Sequence, residues 1–302
     1  MRIVVTGGSG MLGHCLMRVA RQAHEVWGSY HTHALNIPGC SMFPLDVTNE
    51  AEVRGRLKPL APEAVIHTAA LTDVDECERS PETARRINSG GTKIVATISE
   101  ELGARFVYIS TDYVFDGRRG DYREDDQPNP VNQYGTSKLL GEEAARANCS
   151  QSLIIRTSMY GWKLPPRVGM MEGLVAALRA GKPMTRFVDQ HSTPLYTGQL
   201  SEIILRLVEL AATGLFHVGA MEKVSRYEFS RQVAALFAAG CAQIQPVPFR
   251  QIDGLAQRPQ DTSLRSQTIQ QRLGIEVPRL RPGLFDLKRD LEEPTKEGAV
   301  GR

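Results

Sequence analysis

Arg2-Ile3-Val4-Val5-Thr6-Gly7-Gly8-Ser9-Gly10-Met11-Leu12-Gly13 follows the initial methionine. Ile3, Val4 and Val5 make a short apolar, β-branched run, which predicts a buried strand over Arg2 to Thr6. Gly7 to Gly13 predicts a glycine-rich turn, and Met11 to Gln22 a helix. A phosphate needs close backbone approach, free N–H groups and the positive end of a helix. Glycines alone would fit any tight turn. Here strand, turn and helix occur in the order that a phosphate-binding loop requires.

Further along, Glu25 to Ser29, Ala64 to His67, Arg105 to Ser110 and Ser152 to Arg156 read as strands. Pro81 to Leu102 and Tyr134 to Ala147 read as helices. Strand and helix alternate at about 30-residue spacing, which predicts an α/β fold with a Rossmann-type, doubly wound parallel sheet. The rhythm changes after Thr157. Proline and glycine gather in Trp162 to Gly169 and in Gly181 to Pro194, and helical runs follow at Leu200 to Leu210 and Tyr227 to Ala239 around a short strand at Gly214 to Val218. We therefore expect residues 1–157 to form a dinucleotide-binding domain, with returning segments near 195–220. Residues 158–194 and 221–302 are expected to form a smaller substrate-binding lobe, with a frayed tail from Glu292.

Composition narrows the partners. The chain has 302 residues, 36 basic and 34 acidic side chains, and a formal charge of +2, which gives neither nucleic acid nor an anionic membrane a reason to bind. The five cysteines (Cys15, Cys40, Cys77, Cys149, Cys241) are scattered, with no CxxC pair, so a reducing cytoplasm is expected and no zinc ribbon. The N-terminus lacks the apolar h-region of about 7–15 residues that a signal peptide needs. No metal site is expected: His31-x-His33 lacks a third ligand and reads as a solvated loop.

Tyr134-Gly135-Thr136-Ser137-Lys138 places a phenol and an ammonium at i and i+4, on one helix face. A free phenol, with a pKa of about 10, is a sluggish acid at neutral pH, and a neighbouring cation would lower that value. Thr111, in Ser110-Thr111-Asp112-Tyr113-Val114-Phe115-Asp116-Gly117, falls at the carboxyl end of a predicted strand, where such folds bind ligands. Its hydroxyl can bond an oxygen that changes charge.

The spacing Thr6-Gly7-x-x-Gly10-x-x-Gly13 resembles the TGxxGxxG of short-chain dehydrogenases. His67 to Asp75, Ser110 to Gly117, Gln133 to Lys138, Arg156-Thr157-Ser158, and Asp189 to Pro194 extend the resemblance over roughly residues 1–290. Together they are similar to extended short-chain dehydrogenases of the dTDP-4-dehydrorhamnose reductase group. The resemblance implies reduction of a 4-keto group on a nucleotide-linked deoxysugar by NADPH or NADH. It implies that Tyr134 donates the proton, that Lys138 lowers the Tyr134 pKa and binds the nicotinamide ribose, and that Thr111 polarises the carbonyl. Gly7, Gly10, Met11, Leu12, Gly13, Asp46, Val47, Ala69, Ala70 and Thr72 would contact the cofactor. Asn88 would stand on the helix under the site. Tyr113 and Asp189 would face the substrate, and Arg258, with Arg167 and Arg265 as weaker candidates, would bind its diphosphate. Ser29 to His33 offers no carboxylate for the ribose 2′-hydroxyl, which leans toward NADP.

The sequence departs from the family pattern at Met159, in the loop Lys163 to Arg167, and at Arg265, all in the expected sugar-binding lobe. A 4-epimerase would need only the same three residues. A dehydratase would need an acid pair after Thr111, but Tyr113 follows Asp112. A regulatory subunit that binds NADP without turnover is the alternative from another class. A homodimer is compatible with the sequence.

Overall fold

The computed structural model describes residues 1–164, 168–237, 244–251 and 254–292. Its centre is a seven-stranded sheet. In chain order the first six strands are β1 (Arg2–Thr6), β2 (Glu25–Tyr30), β3 (Ser41–Pro44), β4 (Ala64–His67), β5 (Arg105–Thr111) and β6 (Leu153–Thr157), and the seventh is Gly214–His217. From one edge the order runs β3-β2-β1-β4-β5-β6 and then Gly214–His217, with every pair parallel. Parallel strands need crossovers, and apart from the helix-free connection between β2 and β3 these are helical, with α1 (Met11–Ala20), α2 (Glu50–Leu60), α3 (Val74–Arg79), α4 (Pro81–Arg85), α5 (Thr92–Glu101) and α6 (Gln133–Asn148) among them.

Alternate strand residues serve two apolar layers. Ile3, Val5, Ile66, Val107, Ile109 and Ile155 face α1 and the helix Thr197–Glu209. Val4, Val65, Phe106, Tyr108 and Ile154 face α2, α5 and α6. Burial on both faces explains why the strands lack a polar alternation. The first layer continues without a break into Met171, Leu174, Val175, Phe229, Val233 and Ile244. The region after Thr157 therefore shares the core of the sheet. The helix Leu280–Glu292 returns to that layer: Trp162 donates to the Leu287 carbonyl at 2.8 Å, and Arg18 of α1 pairs with Asp290 at 3.0 Å; the expected frayed tail beyond Glu292 lies outside the described residues.

The predicted helix from Pro81 to Leu102 is interrupted. Arg86–Gly91 is a π-helical turn between α4 and α5. Asn88 within it is fully buried, accepts from the Leu71 N–H at 2.8 Å, and donates to the Leu71 carbonyl at 3.0 Å and Ser137 at 2.9 Å. A side chain with that many fixed partners accounts for the widened turn, and such turns are frequent at functional sites.

Candidate active site

The strand order reverses between β1 and β4, which opens a crevice at their carboxyl ends. A cavity of about 330 Å³ occupies it. One wall is Gly7, Ser9 and Gly10; the other is Thr68, Ala69, Ala70 and Leu71. Ser29, His31, Thr32, Asp46, Val47, Arg86 and Ile87 line the remainder. Gly13 lies beneath the loop, where a Cβ would sit 2.2 Å from the Gly7 carbonyl oxygen. Gly10 leads into α1, whose first-turn N–H groups lack intrahelical partners. Glycine backbone, free donors and helix polarity converge there, which suits the phosphates of a dinucleotide.

The expected cofactor residues divide into two sets. Gly7, Gly10, Asp46, Val47, Ala69 and Ala70 line the cavity. Leu12 and Gly13 are buried in its floor, Met11 is in the first helical turn, and Thr72 is exposed beyond the rim. Asp46 spends one carboxylate oxygen on the N–H and hydroxyl of its own neighbour Thr48, at 2.9 and 2.8 Å. Arg86 also bonds Thr48, at 3.0 Å. Sequence reading missed Arg86, because nothing in its own stretch marks a π-helical turn facing the cavity.

Deeper in, Asn132 caps α6 by accepting from the Gly135 N–H at 2.8 Å. Gly135 lets the helix approach the loop after β5, since a Cβ there would meet the Tyr113 carbonyl oxygen at 2.2 Å. Tyr134 thereby reaches the end of β5, with its hydroxyl close enough to Thr111 to be influenced by it. Thr111 also donates to Asp112 at 3.1 Å and accepts from the Tyr113 N–H at 3.2 Å. Asp112 is buried, accepts from Thr262 as well, and burial lifts its pKa to about 6. The Thr111 hydroxyl must therefore leave Asp112 before it can donate to a substrate oxygen.

Lys138 is buried, donates to the Ile109 carbonyl at 2.7 Å, and lies 4.1 Å from the Tyr108 ring centre. Burial lowers its pKa to about 7, although Glu142 opposes the fall. Tyr134 does not have the lowered pKa expected from its neighbouring cation. Removing its hydroxyl from water disfavours the phenolate, and this outweighs the opposing influence of Thr111, so the phenol stays protonated well above its ordinary range.

A second cavity, of about 220 Å³, adjoins this centre. Tyr113, Phe187, Gln190, Arg226, Phe249 and Arg258 are among its walls. Tyr113 joins the two spaces: its ring packs edge-on against Tyr134 at 5.9 Å, and it lines the second cavity together with Arg226. Arg258 is present as expected, but it pairs with Asp75 of α3 at 2.9 Å. Asp189 is placed differently from the expectation. Its carboxylate accepts from the Phe249 N–H and from Gln260, and Gln190 beside it lines the cavity instead. Arg265 also misses the site: it is exposed and lines a separate polar cavity with Arg123 and Arg272. Arg167 lies outside the described residues.

The model of the RmlD substrate binding domain family matches residues 1–292. The chain belongs to this family. Among relatives of this RmlD-family chain is a probable low-salt glycan biosynthesis reductase of Haloferax volcanii, 33% identical over 293 residues, covering 95% of this chain and 97% of the relative. Another is methionine adenosyltransferase 2 subunit beta of Danio rerio, 29% identical over 291 residues, covering 91% of this chain and 86% of that protein. The crystal structure of dTDP-4-dehydrorhamnose reductase from Bacillus anthracis in complex with NADP superposes with a TM-score of 0.85 at 27% identity, covering 96% of this chain and 99% of the other. Among the described residues, no helix is long and apolar enough to cross a membrane.

Proposed function

We propose that this RmlD-family chain reduces the 4-keto group of a nucleotide-linked deoxysugar. It is an NADP- or NAD-dependent oxidoreductase on a Rossmann-type fold, and nucleotide-sugar reduction is the activity its family membership and relatives support. The observation that carries the finer reading is Tyr113. It lines a cavity with arginines and aromatic rings while touching the phenol that would donate the proton. A diphosphate suits Arg226, and a planar base suits the Phe187 and Phe249 rings, which meet edge-on at 5.3 Å.

The Gly7 to Gly10 loop and the start of α1 would hold the cofactor phosphates, and Ala69, Ala70 and Val47 the flat walls of the cavity. When bound, the nicotinamide supplies a hydride. Tyr134 supplies the proton: burial keeps its hydroxyl protonated, the form an acid needs. Thr111 turns its hydroxyl from Asp112 to the substrate oxygen. Lys138, which now donates to the Ile109 carbonyl, would hold a ribose hydroxyl and bring positive charge toward the phenol. At the adenosine end of the cavity Ser29, His31, Thr32 and Arg86 stand beside one carboxylate, Asp46, which already accepts from the N–H and hydroxyl of Thr48, so NADPH should be accepted at least as well as NADH.

The test is a panel of 4-keto nucleotide sugars, with dTDP or UDP as carrier, assayed by loss of NADPH or NADH absorbance. We expect turnover with at least one member. Cofactor binding without turnover on any member would overturn the proposal and favour a binding role, such as the subunit relative suggests.

A further inference from the structure

Glu142 lies on α6 one turn beyond Lys138, and its side chain is fully buried. Arg156 on β6, also buried, clamps it with two bonds: Nε to Oε1 at 2.8 Å and Nη2 to Oε2 at 2.7 Å. Ser110 on β5 donates to the same Oε1 at 2.6 Å. Arg146 adds a longer bond to Oε2 at 3.3 Å. Arg156 is held in turn, over the Phe115 ring at 5.1 Å and beside His217 Nε2 at 3.5 Å.

Stability alone is a poor reason for this cluster, because an apolar pair of similar volume commonly does as well as a buried ion pair. Its placement suggests another. Ser110 directly precedes Thr111, and Glu142 follows Tyr134 and Lys138 along one helix. The carboxylate thus links the strand that carries one reacting side chain to the helix that carries the other two. We propose that Glu142 is a positioning residue: clamped by Arg156 and bonded to Ser110, it fixes the separation between Thr111 and the Tyr134–Lys138 pair. This rests on the reading of those three as the reacting residues.

The same carboxylate, one helical turn away, acts electrostatically on the Lys138 ammonium. The other groups around that ammonium are Cys77 from α3, His67 from β4 and the Tyr108 ring from β5. Burial holds the Cys77 thiol protonated, with a pKa of about 11, and the His67 ring neutral, with a pKa of about 3. Near neutral pH, Glu142 is then the formal negative charge that favours the ammonium, and its removal should shift loss of that charge to lower pH.

The experiment compares kcat, KM and the pH profile of Ser110→Ala, Ser110→Thr and Glu142→Gln, with NADPH and dTDP-4-dehydrorhamnose. Ser110→Ala removes the tie without stranding a charge; kcat should fall about tenfold or more with KM for the sugar little changed, and Ser110→Thr should restore most of it. Glu142→Gln should also lower kcat and move the alkaline limb to lower pH. Where Glu142→Gln fails to fold, Ser110→Ala and its rescue decide. Folded Ser110→Ala with parental kcat would overturn the proposal. Thr111→Val and Tyr134→Phe are run beside them: if these keep parental turnover, it is the assignment of the reacting residues that has failed.

Discussion

Thr111, Tyr134 and Lys138 come from β5 and α6, consecutive elements of the central fold, and two of them are fixed by helical spacing alone. The cavity beside them is assembled from the loop after β5, from Phe187 and Gln190, from Arg226 at the start of a later helix, and from Phe249 and Arg258. Its side chains are more exposed, and they meet only because distant segments close over the carboxyl end of β5. On the proposed reading, chemistry resides in local spacing within a packed core, while substrate choice resides in long-range assembly.

The sharpest break between the two regions should come from Tyr134→Phe. Loss of the positioned acid should cost on the order of 10²–10⁴ in kcat. Titration by cofactor fluorescence should show near-parental affinity, since a phenol oxygen contributes little to holding a dinucleotide. Near-normal turnover would remove Tyr134 from the mechanism.

Lys138→Met should act on rate and cofactor affinity together, since the proposal gives one ammonium both tasks. The pH dependence has a definite sign. Burial places the Lys138 pKa at about 7, below its ordinary value, so the charged form is present below that pH and lost above it. NADPH affinity should therefore weaken as pH rises through about 7, and Lys138→Met should flatten that dependence. A variant with unchanged affinity at every pH would make the residue merely structural.

The substrate cavity should respond more gently. Arg226→Ala is expected to raise KM for the nucleotide sugar about tenfold, equivalent to roughly 1.4 kcal/mol, with cofactor affinity unchanged. Arg258→Ala should have a smaller effect on KM and a larger one on stability, because its guanidinium is spent on Asp75 and on the Ala256 carbonyl. Melting curves beside KM values separate the two. The reverse ranking would mean that Arg258 exchanges Asp75 for the substrate diphosphate.

What the sequence disclosed follows the same division. β1, the glycine loop and α6 were legible because hydrophobic run, glycine spacing and i,i+4 pairing are local signals. The π-helical turn was not, since Asn88 earns it through bonds to Leu71 and Ser137, both distant in sequence. Strand β3 has only four residues and no alternation, so it left little pattern. Asp189 and Arg265 sit in or near family-like stretches, yet the fold turns one toward the Phe249 backbone and the other toward solvent. The raised Tyr134 pKa was likewise hidden: a neighbouring lysine is visible in sequence, whereas the desolvation that outweighs it is a property of the packed site.

The most direct test of the account is the stoichiometry of one reaction. The protein is incubated with limiting dTDP-4-dehydrorhamnose and excess NADPH, and both cofactor loss and the sugar product are measured, with Tyr134→Phe as control. One NADPH should be consumed per 4-keto group reduced, with neither change above background in the variant. Binding of both compounds by the parent without cofactor loss, or conversion of the sugar with the cofactor unconsumed, would contradict it.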